Sequence, residues 1–234
     1  MTATLLPFEN KNSTYAFIGW STVAPKADGT LADGATLYTL ESGLDTIAVD
    51  GADITLYAVW SARVQLQMPG ASIRTQAPQG LRFLTIDNVY TYARGFKNIE
   101  RSTLIIPTDL LTAGTSLDIS TANKLQISAQ NYRFISDLST VTANAAHAGI
   151  SGFAFAGTLV NIPQQSYDRS ISAVGCVITS KGTVYTSVIE RSVYVVSAAI
   201  IEAQYPTEYA NLLTQVESTG KSIGQLCFEK YFNF

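Results

Sequence analysis

The feature that most constrains this chain is a two-residue rhythm in hydrophobicity. In "DITLYAVW", residues 53–60, Ile54, Leu56, Ala58 and Trp60 alternate with Thr55, Tyr57 and Val59. Successive side chains of an extended backbone point to opposite faces, so the spacing predicts a strand with one strongly buried side. The pattern recurs. "SIRTQAPQGLRFLTI" reads as two strands around a Pro-Gln-Gly turn, and "STLIIPTDLL" as a buried strand ended by Pro107 with a short helix or turn after it. "KLQISAQNYRFISDL" alternates through Leu125, Ile127, Tyr132 and Phe134. "TANAAHAGISGFAFAGTLVNI" passes from a small-residue loop into a strand with Phe153 and Phe155 on one side. "ISAVGCVITSKGTVYTSVIE" reads as a hairpin turning at Lys181-Gly182, with Val174, Cys176 and Ile178 on one face and Val184, Thr186 and Val188 pairing back.

The C-terminal segment changes period. In "YPTEYANLLTQVESTG", Tyr209, Leu212, Leu213 and Val216 fall at i, i+3, i+4 and i+7, with Pro206 in the first turn and Gly220 where the helix should stop. Ser222 and Gln225 then spell a capping box, opening a second helix whose apolar face carries Ile223, Leu226, Cys227 and Tyr231. The expected fold class is mainly β, with an antiparallel β-sandwich-like domain carrying two C-terminal amphipathic helices docked on it.

At 234 residues the chain has room for two moderate domains, and the change of texture after residue 62 places the boundary between 1–62 and 63–234. Three Asp-Gly pairs, at Asp28, Asp33 and Asp50, punctuate the first part and mark tight turns, since glycine accepts positive φ. A net charge of −3 provides no electrostatic reason to bind a phosphate backbone, so nucleic acid is not an expected partner. The longest apolar run, "VYVVSAAIIEA", is broken by Ser197 and Glu202 and falls short of the roughly 18 residues of a membrane span. "MTATLLPFENK" lacks the basic start and apolar stretch of a signal peptide. Two cysteines, Cys176 and Cys227, are too few for a disulfide framework; both lie on apolar faces, as buried thiols or as one mutual bridge.

"YAFIGWST", "DGATLY" and "DITLYAVW" together resemble the second half of the internalin B-type (Listeria–Bacteroides) repeat, whose members end in G-Y-x-F-x-G-W followed by T-L-Y-A-x-W. The resemblance covers residues about 4–60. It implies a small β-grasp-like module of bacterial surface proteins, with Trp20 and Trp60 defining the fold; Phe17 and Leu56 complete the expected core. The family's usual opening strand with its Asn-Gly-Gly turn is absent, which leaves an open sheet edge as an expectation. Residues 63–234 resemble, less specifically, a module that follows such repeats in clostridial surface proteins, through "ASIRTQAPQGLRF", "STLIIPTDLL" and "IERSVYVVSAA".

Residues that could carry chemistry are sparse. The single histidine, His147, sits in "NAAHAGISG" with no Cys, Asp or Glu at ligand spacing and no G-x-S-x-G elbow before it. "TGKSIG", residues 219–224, ends like a phosphate loop but follows a helix and lacks the first glycine, so the capping role is expected. Asn12-Ser13-Thr14 spells a glycosylation acceptor. Arg74, Arg82 and Arg191 lie in β-favouring or apolar stretches, where burial would demand a carboxylate or carbonyl partner, with Glu190 and Asp87 the candidates by type, in a structural ion pair or, as the alternative, a ligand clamp. Trp20 and the set Tyr90, Tyr92 and Phe96 are the aromatic groups that could stack a sugar if exposed, with sheet packing the alternative.

These readings converge on a non-enzymatic extracellular surface protein, structural or adhesive, with no catalytic, metal or cofactor site and no membrane insertion. Its expected partners are other copies of itself, through edge pairing into an oligomer or fibre, or a host or glycan ligand. The alternative is a carbohydrate-binding module of a gut bacterial surface protein.

Overall fold

A computed structural model of the chain describes residues 15–27, 29–38, 47, 53–62, 66–87, 100–129, 132–179 and 182–234. They form strands β1 (Tyr15–Ser21), β2 (Tyr57–Ala62), β3 (Gln67–Arg74), β4 (Gly80–Asp87), β5 (Glu100–Pro107), β6 (Leu125–Ser128), β7 (Arg133–Ile135), β8 (Gly152–Val160), β9 (Ile171–Thr179), β10 (Gly182–Tyr185) and β11 (Ile189–Arg191). The helices are α1 (Ser139–Thr142), α2 (Val193–Gln204), α3 (Pro206–Leu213), α4 (Val216–Thr219) and α5 (Ile223–Tyr231). The fold is mainly β, and every strand pair is antiparallel.

Two sheets form the sandwich, one ordered β3-β4-β8-β7, the other β10-β9-β5-β6 with β11 also on β9. Alternation assigns their faces. In the first sheet Leu81, Phe83, Thr85 and Asp87 of β4 are paired with Leu159, Gly157, Phe155 and Phe153 of β8. In the second, Arg101, Thr103 and Ile105 of β5 are paired with Val177, Gly175 and Ala173 of β9. These inward rows interlock. A Cβ on Gly157 would run into the Thr103 side chain, and one on Gly175 into Thr85. Each threonine thus fills the gap left by a glycine on the facing sheet. Leu81 and Phe83 are fully buried in the same layer with Ile105, Ile171 and Ala173. Each such large side chain contributes about 1.5–3 kcal/mol by leaving water.

The outer side of β5 and β9 is covered as well, and that of β4 and β8 is covered near Ile86. Leu104, Ile106, Val174 and Cys176 pack under Leu117, while Ile86 and Ala154 pack with Ile135 and Leu138. Cys176 and Val174 therefore share a face as expected, but Val177 on the other side is equally buried. β6 and β7, close in sequence, belong to different sheets. β10 and β11 both run along β9 and are separated at Thr186, whose N–H donates to the Gly175 carbonyl and whose hydroxyl accepts from the Gly175 N–H.

The C-terminal region carries four helices where two are expected. "VYVVSAAIIEAQ" is the twelve-residue α2, despite its β-branched residues. Ser192 caps it by accepting from the Val195 N–H, and Ser197 donates back to the Val193 carbonyl. Val193 and Val196 enter the sandwich core, which outweighs strand propensity. The expected first helix is split into α3 and α4, and Leu213 is 47% exposed while Leu212 is buried. Gly220 ends α4 at φ +66°, and Ser222 opens α5 by accepting from the Gln225 N–H. Only half of the capping box forms, because the Gln225 side chain donates forward to Glu229. α5 packs on α2, with Leu226 and Cys227 buried beside Ile201 and Leu212.

In the first part of the chain β1 and β2 form a two-stranded sheet with a bulge between Phe17 and Gly19. Gly19 has φ +154°, and a Cβ there would strike the Tyr38 carbonyl, so the bulge requires glycine. Phe17, Trp20, Leu56, Ala58 and Trp60 cluster on one side. The expectation of a single buried face is corrected, since Val59, on the other side, is fully buried and Ile54 is 38% exposed. The open edge is also corrected. Trp20 exchanges two backbone hydrogen bonds with Tyr38, and the Trp60 N–H donates to the Gly29 carbonyl, so the chain itself meets both outer edges there.

The threonine–glycine interlock generates a test. Gly157→Ala should lower stability by about 1–3 kcal/mol through overpacking against Thr103. The Oγ1 atoms of Thr85 and Thr103 are buried with no hydrogen-bond partner among the described residues. Thr85→Val or Thr103→Val keeps the shape and removes an unpaired hydroxyl, and should therefore raise stability by about 1 kcal/mol in urea unfolding. A loss of stability in both valine variants would count against this packing.

Candidate functional site

The outer face of the four-stranded sheet carries an open groove of about 990 Å³. Its shape follows from the alternation in "FAFAGT". The large rings point into the sandwich, leaving Ala154, Ala156 and Thr158 of β8 as a low outer floor. Register places Ser72 opposite Arg82, Arg82 opposite Thr158, Leu84 opposite Ala156, and Ala154 opposite Arg133. The long side chains of Arg74, Arg82 and Arg133 thus stand around short ones, with Val141 of α1 at one margin.

None of these three guanidinium groups has a carboxylate partner among the described residues. The Arg74 Nε donates to the Gln76 carbonyl at 3.1 Å. By contrast Lys26, Arg101, Arg169, Lys221 and Lys230 are each ion-paired, to Asp33, Asp87, Asp109, Glu229 and Glu208. No described acid lines the groove. The carboxylate hydrogen-bonded to one of its lining residues, Glu100, already accepts from Ser128, Ser102 and Gln126, and these bonds, Ser128 first, hold it below the usual carboxylate range. A local excess of positive charge therefore faces the groove of a net acidic chain.

A second property of this face is an unfinished ladder. β8 is paired with β4 along its length, but β7 covers its other side only as far as Ala154. Beyond Ala154 this side of β8 faces the groove, which Ile127, Ser128, Ala129 and Tyr132 line together with Phe155.

The residues singled out in the sequence fall elsewhere. Trp20 is 9% exposed and packs edge-on to Phe17 at 5.3 Å; Phe17 meets Trp60 at 5.5 Å. The Trp20 ring thus offers no open face to a sugar. Tyr90, Tyr92, Phe96, Asn12-Ser13-Thr14 and Asp50-Gly51 lie outside the described residues. His147 is buried, with Nδ1 2.9 Å from the Thr142 hydroxyl. Because that hydroxyl donates to the Leu138 carbonyl, it accepts from the imidazole, and the pair ties down the end of α1. Lys221 and Ser222 of the phosphate-loop-like stretch are occupied by Glu229 and by the α5 cap.

The arginine expectation is corrected at Arg82, which is exposed, while Arg191 donates to a carbonyl, that of Glu190, one of the two kinds of partner expected. Among the described residues the buried arginine is Arg101, which reaches Asp87 at 3.4 Å with both side chains shielded. Its position was not apparent from sequence, because β5 is buried on both faces and shows no alternation.

The two cysteines are free and buried in different clusters, Cys176 in the sandwich and Cys227 on α5. Among the described residues no group of His, Cys, Asp and Glu could hold a metal ion, and no helix is long and apolar enough to cross a membrane. No family model, curated protein or solved structure matches the chain.

The thiols yield a prediction with a definite sign. Burial, and then the nearby Glu100 charge, push Cys176 up to about 11, and burial raises Cys227. Neither thiol should react with an aromatic disulfide reagent at pH 8 until the chain unfolds. A raised thiol pKa gives stability that is full below the unfolded value, about 8.5, and is lost as pH rises towards 11. Cys176→Ala should flatten that alkaline limb of a stability–pH curve. Rapid labelling of the native protein would refute the burial of these groups.

Proposed function

We propose that the protein is a non-enzymatic, extracellular bacterial surface protein that acts as a structural or adhesive element through contact. The observation that carries this reading is the open, arginine-framed groove on the four-stranded sheet. It is a broad surface set on a doubly covered sandwich, suited to holding an extended partner in place. The resemblance of residues about 4–60 to surface-protein repeats supports the location. Assembly with other copies would run through this groove, since the chain meets the outer edges of the β1–β2 sheet at Trp20 and Trp60. The carbohydrate-binding alternative rests on Tyr90, Tyr92 and Phe96, as Trp20 is enclosed.

Sedimentation velocity over a wide concentration range, combined with a glycan array, tests the proposal. The expected result is reversible self-association or ligand binding that weakens with added salt, because exposed arginines are screened within about 10 Å at 0.1 M salt. Trp20→Ala should lower stability by about 3–5 kcal/mol, the cost of a large-to-small core change, without selectively removing glycan binding. A monomer at every concentration that binds no glycan would contradict the proposal.

A further inference from the structure

We propose that the arginine-framed groove binds a linear anionic polysaccharide, a chain of uronate or sulfated sugars laid across the outer face of the four-stranded sheet. The inference rests on the contact reading above and names its ligand. It places glycan contact on charge rather than on Tyr90, Tyr92 and Phe96.

Two independent features select this class of ligand. The first is charge. Arg74, Arg82 and Arg133 share the outward face, because Arg74 stands opposite Gly80, two residues from Arg82, while Arg82 and Arg133 stand opposite Thr158 and Ala154. No carboxylate among the described residues pairs with them, and none lines the groove. The stretches outside the described residues that adjoin β3, β4 and β7 are residues 63–65, 88–99 and 130–131. They contain no Asp or Glu and add Arg63, Arg94 and Lys97 to the chain. A guanidinium stays charged throughout the physiological pH range, and its planar fork fits carboxylate and sulfate oxygens alike.

The second is spacing and lining. Ala154 and Thr158 lie at separate points along β8, and β7 and β4 flank that strand on opposite sides. Strand geometry then sets the backbones of Arg133 and Arg82 roughly 17 Å apart. A small anion seated at one arginine leaves the other unmatched, whereas a chain with charges along its length meets both. The floor between them, Ala156 and Thr158, is low and leaves the path open. Around it Ser72, Thr75 and Thr158 supply neutral hydroxyls of the kind that bond sugar hydroxyls. Tyr132, 37% exposed beside Arg133, adds ring surface for the C–H face of a pyranose. A polysaccharide presents hydroxyls where an acidic polypeptide presents a backbone ladder, and scattered side-chain hydroxyls match the former.

Calorimetric titration of the full chain with polygalacturonate, dextran sulfate and unsubstituted dextran tests the proposal. At least one acidic polymer should bind, with affinity falling as salt is raised, and dextran should not. Binding of polygalacturonate alone would assign a uronate ligand, and of dextran sulfate alone a sulfated one. Arg82→Gln and Arg133→Gln should each weaken binding roughly tenfold, the loss of one charge-assisted hydrogen-bond partner. Both side chains are exposed, so thermal melting of each variant should match the parent. Arg169→Gln removes the same charge from a guanidinium held by Asp109 outside the groove, and should leave the affinity unchanged.

Several results would overturn the inference: no binding of either acidic polymer, dextran binding as tightly as they do, or binding that Arg169→Gln weakens as much as Arg82→Gln and Arg133→Gln. Poly-glutamate binding more tightly than the polysaccharides would also overturn it and assign an acidic polypeptide instead. In each of these cases the contact reading survives, through self-association or another ligand. New reducing ends released from a bound polymer would overturn the contact reading itself.

Discussion

The guanidinium of Arg101 and the carboxylate of Asp87 meet across the middle of the sandwich, shielded from water and 3.4 Å apart. Arg101 belongs to β5 of one sheet and Asp87 to β4 of the other, so the pair exists only when the two sheets stack in one alignment. The surroundings reinforce this. The guanidinium lies 4.4 Å from the centre of the Tyr132 ring and 5.4 Å from that of Phe153. Removing two charges from water costs several kcal/mol per ion, and mutual attraction offsets that cost only in good geometry. Sliding one sheet against the other would leave both charges buried and apart. The pair thus acts more as a specifier of alignment than as a source of net stability.

The threonine–glycine contacts impose the same alignment by shape. Thr103 over Gly157 and Thr85 over Gly175 form a reciprocal pair, one knob from each sheet. With the inward rows so fixed, the outward rows follow from alternation. Every large residue that β8 sends inward is matched by a small one sent outward, and the small ones make the floor of the groove. The arginines stand over that floor because Arg82 and Arg133 fall on outward positions of their strands. The groove is therefore a consequence of how the core is packed. Its openness towards β6 and β7 arises because those two short strands are divided between the sheets.

Much of this architecture could be read locally. Period-two segments named the β4, β8 and β9 regions, an apolar run named β5, and the Pro-Gln-Gly turn joined β3 to β4. Ser222 marked the start of α5, and Phe17 and Trp20 came together as the tryptophan motifs implied. What could not be read depends on partners distant in sequence. Arg74, Arg82, Arg101 and Arg191 all lie in strand-forming stretches, and only the stacking of the sheets decides that Arg101 turns inward. Likewise α2 is written in residues that favour strands, and becomes a helix because Val193 and Val196 complete the core from above. The groove itself combines residues of β3, β4, β7, β8 and α1, and no single segment contains its signature.

A double-mutant cycle on Arg101 and Asp87, measured by urea unfolding, tests most directly whether this pair sets the alignment of the sheets. Arg101→Met and Asp87→Leu should each cost about 3–5 kcal/mol, since each breaks a buried ion pair by removing one partner. The double variant should cost much less than their sum, with a coupling of more than about 1.5 kcal/mol. Single substitutions that are near-neutral and additive would show that the sheets find their alignment without this pair, and would contradict the account.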